Sequence, residues 1–176
     1  MKLRTPRLKL SKKNSCILLG LAACLSFGTF SARADIVLED GVTPHKGIDA
    51  LYEKLAAATA SLNTESFSKI YAEDAFYLIP TAPLIQGIDG IKPDWDDWFV
   101  WMKEGNGSLD MDFRIVAREV HDDAIGYDIG YAKTLQKRPN EADVTYETKF
   151  VVVTKKLPNG EWRYQVDAYS QLKKDK

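Results

Sequence analysis

The sequence predicts an α+β domain in which helices come first and a mostly antiparallel sheet follows. The first half of the domain carries apolar residues at intervals of three and four, which places them on one face of an amphipathic helix. The second half carries long segments rich in β-branched and aromatic residues, and turn sequences separate these segments. Helices and antiparallel strands that are segregated in this way are typical of the α+β class.

Three helices are predicted from the periodicity and from the residues that end each periodic segment. The first covers residues 48–62, and a short second helix ends near Tyr71. The third begins near Asp89, carries a stripe of tryptophans and ends at the Gly-Asn-Gly sequence of residues 105–107. These helices fill the first part of the predicted domain.

Two short strands and four long ones are predicted. The short strands cover residues 75–80 and 83–87, and Pro80 ends the first. The long strands cover residues 109–120, 124–135, 144–157 and 162–170. We expect a lead-in arm at residues 35–46, one domain at residues 47–171 and a short basic tail at residues 172–176.

Residues 1–34 have the features of a secretory signal peptide. A basic head without acidic residues is followed by an apolar run at residues 16–30 and by Ala32-Arg33-Ala34, a cleavage sequence of small residues. The apolar run is shorter than the roughly 20 residues that a membrane-spanning helix needs. We therefore expect a periplasmic or secreted protein that begins at Asp35.

A second cleavage site competes with the first. Residues 21–24, LAAC, resemble a bacterial lipobox, in which the cysteine is lipidated and becomes the new N-terminus. Cleavage there would produce a lipoprotein anchored at Cys24. The apolar run continues beyond this cysteine, which favours cleavage after Ala34.

Without residues 1–34 the chain is acidic and contains no cysteine. That segment holds seven of the 24 basic residues, none of the 25 acidic residues and both cysteines, so 17 basic and 25 acidic residues remain, a formal charge of −8. The sequence therefore excludes a disulfide or a thiol nucleophile in the domain, and its acidity disfavours nucleic acid as a partner. The two histidines have no zinc-binding spacing, so we expect no metal site and no cofactor.

Two segments together resemble a known family. They are YAEDAFYLIPTAPLIQGIDGI, residues 71–91, and NGEWRYQVDAYS, residues 159–170. Over residues 46–170 the chain resembles the SnoaL-like branch of the nuclear-transport-factor-2-like superfamily. The resemblance implies a cone-shaped domain, with three N-terminal helices packed on a curved, mostly antiparallel sheet. It also implies a ligand pocket at the wide end and a homodimer formed through the outer face of the sheet.

Asp167, in the last strand, is the candidate catalytic residue. The resemblance supports this choice, because a matching aspartate recurs in the SnoaL-like motif. Alternation puts Asp167 on the same side as Arg163, Gln165 and Tyr169, but the pattern does not show whether this side faces the pocket or the solvent. In the pocket, desolvation would raise the pKa of the carboxyl group and prepare it for acid–base chemistry. On the solvent side it would pair with a nearby Lys or Arg.

The candidate ligand-binding residues are aromatic or amide side chains on predicted elements of the domain. They are Tyr52, Tyr77, Trp98, Tyr127, Tyr131 and Gln165. The tyrosines offer hydroxyl groups to a pocket, although ordinary core packing explains most buried tyrosines equally well.

The sequence departs from the steroid-isomerase branch of the same superfamily. In that branch an aspartate that takes the substrate proton precedes the proline of the first strand, and the corresponding residue here is Ile79. In that branch a tyrosine of the first helix donates to the substrate oxyanion, and the corresponding position here is near Leu55. The second acid that contacts the oxyanion in that branch corresponds to a position in the apolar stretch of residues 150–153. We therefore expect no steroid-isomerase mechanism.

Two functional hypotheses remain open. The first is an exported domain that binds a small apolar or carbonyl-containing ligand, with isomerase, lyase or cyclase chemistry at Asp167. The alternative is a non-enzymatic binding or oligomerisation module, as in the association domain of calcium/calmodulin-dependent kinase II. The polar series on the last strand favours the first hypothesis, and the loss of the isomerase-type carboxylates favours the second.

Overall fold

A computed structural model describes residues 34–172 of the chain. The predicted signal peptide through Arg33, the alternative lipidation site at Cys24 and residues 173–176 of the basic tail lie outside the described residues. Within residues 34–172, no helix is long and apolar enough to cross a membrane.

The described residues build one seven-stranded mixed sheet and three helices. The helices are α1 (Lys46–Ala60), α2 (Thr64–Ser68) and α3 (Ile88–Glu104). The strands are β1 (Ile36–Leu38), β2 (Tyr71–Leu78), β3 (Ile85–Gln86), β4 (Ser108–His121), β5 (Ile125–Lys137), β6 (Val144–Lys156) and β7 (Trp162–Gln171). The predicted α+β class is confirmed.

The sheet has the strand order β1-β4-β5-β6-β7-β2-β3. Each of the long strands β4 to β7 pairs antiparallel with the next strand in the chain, as the connecting turns allow. Parallel pairs join β1 to β4 and β2 to β7, and the last pair brings the N-terminal strand β2 beside the C-terminal strand β7. This contact between distant parts of the chain forms one wall of the candidate site.

Side-chain caps at the helix starts account for the first two helix boundaries. His45 precedes α1, and its Nδ1 accepts a hydrogen bond from the Ile48 backbone N–H at 3.2 Å. Asn63 precedes α2, and its side-chain oxygen accepts from the Ser66 N–H at 2.9 Å. Each cap satisfies a backbone donor that the first turn of a helix leaves without a partner.

The predicted lead-in arm contains β1, a strand that the sequence pattern did not indicate. Its three residues pair parallel to β4, with Ile36 opposite Phe113 and Leu38 opposite Ile115. A strand this short has no measurable alternation of apolar and polar residues. Its register comes from the partner strand, which lies more than seventy residues away in sequence.

Alternation along β5 separates the two faces of the sheet. Asp128 is fully buried on the inner face, whereas Ile129 keeps 46% of its surface exposed on the outer face. Gly126 is on the inner face, where an added Cβ would lie 2.9 Å from Ile48 Cδ1 of α1. The glycine therefore allows α1 to lie close against the sheet.

Candidate functional site

A cavity of about 370 Å³ lies between the inner face of the sheet and helices α1 and α3. Its lining comes from α1, β2, α3 and the four long strands, and ten of its 21 lining residues are aromatic. These ten are Tyr52, Tyr71, Tyr77, Trp95, Trp98, Phe113, Tyr146, Phe150, Tyr164 and Tyr169. Its volume and largely apolar walls are typical of a small-molecule site.

Asp167 of β7 lies at the wall of this cavity. Its Oδ2 accepts a hydrogen bond of 2.6 Å from the hydroxyl group of Tyr71 on β2, and the side chain is part-buried. Burial raises the pKa of Asp167 to about 6, and the hydrogen bond from Tyr71 opposes this rise. At neutral pH the carboxylate is therefore mostly ionised, yet close enough to its pKa to accept and return a proton.

A β-bulge in β7 aims Asp167 at the cavity. Val153 of β6 pairs with Val166, but the next residue, Thr154, pairs with Tyr164, so Gln165 is an extra residue in β7. The bulge shifts the alternation by one position. As a result Tyr164 and Asp167 both line the cavity, although strict alternation would put them on opposite faces.

Three buried tyrosines surround Asp167. The ring centroids of Tyr71 and Tyr164 are 5.7 Å apart, and those of Tyr71 and Tyr77 are 6.2 Å apart. Burial, and next the charge of Asp167, raise the pKa of all three phenols well above the ordinary value. Their hydroxyl groups therefore stay protonated at neutral pH and are available as hydrogen-bond donors.

Helix α3 supplies the opposite wall of the cavity. The Trp95 ring packs on Phe67 of α2, with centroids 4.1 Å apart, and the Trp98 Nε1 donates to Gln136 Oε1 at 3.3 Å. Asp94 lies one residue before Trp95 and also lines the cavity. It is exposed at the rim, where partial burial and then the charge of Asp97 raise its pKa.

Tyr52 of α1 lines the cavity with its ring, but its hydroxyl group is directed into a buried ionic network. The hydroxyl donates to Asp128 Oδ2 at 2.8 Å. Arg118 donates to both oxygens of the same carboxylate, at 2.8 and 2.7 Å, and to Asp49 Oδ1 at 2.6 Å. Burial of the guanidinium acts to lower the pKa of Arg118, but its bonds to the two carboxylates raise it overall. The network fixes Tyr52 rather than offering its hydroxyl to a ligand.

Four of the seven predicted site residues line the cavity. They are Tyr52, Tyr77, Trp98 and Asp167.

The other three predicted residues do not line it. Tyr127 and Tyr131 lie on the outer face of β5, because the buried residues Gly126, Asp128 and Gly130 occupy the inner one. Gln165 is the bulged residue of β7, and its Nε2 donates to the Asp74 carbonyl oxygen at 3.2 Å.

The sequence prediction missed several lining residues. Alternation within β2 places Tyr71 on the same face as Tyr77, and alternation after the bulge places Tyr169 with Asp167, so both residues carried a usable signal. Tyr164 lies before the bulge and carried none. Among residues 34–172, no group of three or more His, Cys, Asp or Glu side chains is arranged to hold a metal ion.

No protein-family model and no curated protein sequence matches this chain. Solved structures do. An NTF2-like protein with a cystatin-like fold from Novosphingobium aromaticivorans has a TM-score of 0.60 at 13% identity, over 74% of this chain and 82% of that chain. The chain has the nuclear-transport-factor-2-like fold. The fold that the resemblance of the two sequence segments implied is therefore confirmed.

Two further structures of similar fold differ from each other in their described roles. A ketosteroid isomerase-like protein from Erwinia carotovora atroseptica has a TM-score of 0.57 at 13% identity, over 73% of this chain and 96% of that chain. A protein assigned as a calcium/calmodulin-dependent kinase II association domain, from Xanthomonas campestris, has a TM-score of 0.63 at 15% identity, over 81% and 98%. At these identities the similarity establishes the nuclear-transport-factor-2-like fold and leaves the function to be argued from the site.

Proposed function

We propose that this nuclear-transport-factor-2-like domain binds a small organic ligand in its aromatic cavity and uses Asp167 for proton transfer. The observation that carries the proposal is the carboxylate at the cavity wall, with a pKa raised to about 6 and a 2.6 Å hydrogen bond from Tyr71. A base with a pKa near the working pH is the most effective kind for proton abstraction. We further propose that the protein is exported and that its sheet curves around the helices as a cone.

The chemistry proposed is removal of a proton from a carbon next to a carbonyl group. Asp167 would take the proton. The carbonyl oxygen, which becomes negatively charged, would accept a hydrogen bond from a tyrosine hydroxyl such as that of Tyr77 or Tyr169. The same carboxyl group would then return the proton, either to the original carbon or to another position. Donors aimed at a developing oxyanion are commonly the largest contribution to such reactions.

The proposed mechanism differs from that of the steroid-isomerase branch in the position of its acid–base group. The position before Pro80 is Ile79, which lines the cavity as an apolar side chain, and Leu55 lines it from α1. In this proposal the acid–base group is therefore on the last strand, and the apolar residues shape the volume that the ligand fills.

The test is hydrogen–deuterium exchange of a bicyclic aromatic ketone, β-tetralone, followed by proton NMR in deuterated buffer. We expect the protein to accelerate loss of the α-proton signal above the buffer rate, and Asp167→Asn to return the rate to that of buffer. Asp122→Asn is the matched control, because Asp122 is an exposed turn residue with φ of 51°, which asparagine also tolerates. Equal acceleration by the wild type and Asp167→Asn would refute the assignment of the base.

One observation favours a second candidate function, assembly. The outer face of the central strands exposes apolar side chains, with Ile125 53%, Ile129 46% and Val151 40% exposed. Ile129 and Val151 are direct cross-strand partners, so these two side chains lie next to each other on the outer face. Exposed apolar patches of this kind commonly mark interfaces. We propose that this face pairs two copies of the chain in a homodimer, which is compatible with a ligand in the cavity on the opposite face.

A further inference from the structure

The charged side chains that line the cavity are all acidic. Its lining includes two carboxyl groups, Asp167 at the wall and Asp94 at the rim. Among the described residues, none of those lining the cavity is Lys, Arg or His. A buried carboxylate normally has a cationic partner, because an isolated charge is costly to remove from water. The buried Asp128 has such a partner in Arg118, whereas the hydrogen bond found for Asp167 comes from a neutral tyrosine.

Aromatic side chains lie beside both carboxyl groups in the cavity lining: Tyr77 is the cross-strand partner of Asp167, and Trp95 follows Asp94 in α3. The rings of Tyr77 and Tyr169 are 6.0 Å apart, and those of Trp95 and Trp98 are 5.5 Å apart. After burial, the charges of both Asp167 and Asp94 contribute to the raised pKa of Tyr77 and of Tyr169. Tryptophan and tyrosine faces carry the negative part of the ring quadrupole and attract cations.

We propose that the ligand of this cavity is an organic cation, with an ammonium group between Asp167, Asp94 and the faces of Tyr77 and Tyr169 and with an apolar body in the rest of the cavity. This proposal rests on the proposed function in one respect, namely that the cavity binds a small molecule. It narrows the ligand from a small apolar or carbonyl-containing molecule to one that also carries a positive charge.

The surrounding charge supports the same ligand class. Residues 35–176 contain 17 basic and 25 acidic side chains, so the field outside the cavity also attracts cations. An anionic ligand such as a carboxylate would approach this field and then face two carboxyl groups with no basic side chain in the lining. The arrangement therefore selects against anions as well as for cations.

The test compares three ligands that share one naphthalene ring system and differ in the charge of a short substituent. Naphthylmethylamine is a cation at neutral pH, naphthylmethanol is neutral and naphthoate is an anion. Isothermal titration calorimetry of the purified protein should give the amine at least about tenfold tighter binding than the alcohol, which corresponds to about 1.4 kcal/mol. The carboxylate should bind weakest of the three.

Variants identify the groups responsible for this order. Asp167→Asn should remove most of the preference for the amine over the alcohol and change the affinity for the alcohol by less than about twofold. Asp94→Asn, at the exposed rim, should reduce only the affinity for the amine, by a smaller factor. Asp122→Asn should change none of the three affinities.

The outcomes separate the two proposals. Binding of the alcohol as tightly as the amine would overturn the cation proposal and leave the proposed small-molecule function standing. Absence of binding of all three ligands would overturn both. Preference for the amine that persists in Asp167→Asn and in Asp94→Asn would overturn the assignment of the charge to this site.

Discussion

Replacement of Asp167 by Asn should make the protein more stable at neutral pH while it removes the proposed activity. The substitution keeps the size of the side chain, and the amide oxygen still accepts a hydrogen bond from Tyr71. What it removes is the negative charge, which burial makes unfavourable in the folded protein. A functional group that destabilises its own fold is typical of sites selected for chemistry rather than for stability.

The pH dependence follows from the direction of the pKa shift. The pKa of Asp167 rises from 3.8 in the unfolded chain to about 6 in the folded protein, so the folded state holds the proton more tightly. The contribution of this group to stability is therefore greatest below pH 3.8 and is lost as the pH rises through about 6. At one pKa unit per 1.36 kcal/mol, the wild type should lose about 2 kcal/mol from this group alone between pH 4 and pH 7.5.

The assay is urea unfolding of the wild type and of Asp167→Asn at a series of pH values. The difference in unfolding free energy between the two proteins should grow by about 2 kcal/mol from pH 4 to pH 7.5, in favour of the asparagine variant. Every other titrating group is present in both proteins and cancels in the difference. Asp122→Asn should show no such pH-dependent gain. A difference between wild type and Asp167→Asn that is constant with pH would refute the raised pKa.

Four other outcomes are expected. Tyr71→Phe removes the hydrogen bond that opposes the pKa rise of Asp167. The pKa of Asp167 should therefore increase by about one further unit in a carbon-13 NMR titration, since a hydrogen bond to a charged group contributes about 1.5–3 kcal/mol. An unchanged pKa would contradict this geometry. Asp128→Ala leaves a buried guanidinium without its main partner and should cost about 3–5 kcal/mol in chemical unfolding; a loss below 1 kcal/mol would contradict the buried network. Ile129→Asp, on the outer sheet face, should convert a dimer to a monomer in light scattering, and a monomeric wild type at micromolar concentration would exclude the proposed pairing. Intact-mass analysis of exported protein should find a chain that begins at Asp35, and a lipid-modified Cys24 would instead establish the lipoprotein.

Local patterns in the sequence account for most of the fold. Spacings of three and four placed α1 to within about two residues, because one face of that helix is fully buried and the other is exposed. Alternation and turn residues likewise placed the long strands, of which β4 and β5 have one buried face over most of their length. Both signals arise within a single element, so they can be recognised without knowledge of its partners.

The site was only partly predictable, because its geometry depends on contacts between elements. The bulge at Gln165 is defined by the register against β6, and no feature of the β7 sequence alone indicates it. The hydrogen bond between Tyr71 and Asp167 joins residues 96 positions apart through the parallel pairing of β2 and β7. Tyr127 and Tyr131 were equally plausible from composition, and the side of the sheet that each residue occupies decided the outcome.

The measurement that tests the central claim most directly is a carbon-13 NMR titration of the Asp167 side-chain carboxyl group in the wild-type protein, without ligand and with naphthylmethylamine. A carboxyl group at the wall of an aromatic cavity should titrate with a pKa of about 6 in the free protein. The ammonium ligand should lower that pKa, because a cation nearby favours the ionised form. A carboxyl group that titrates at about 4 or below, with or without the amine, would contradict the claim that Asp167 is the working group of this cavity.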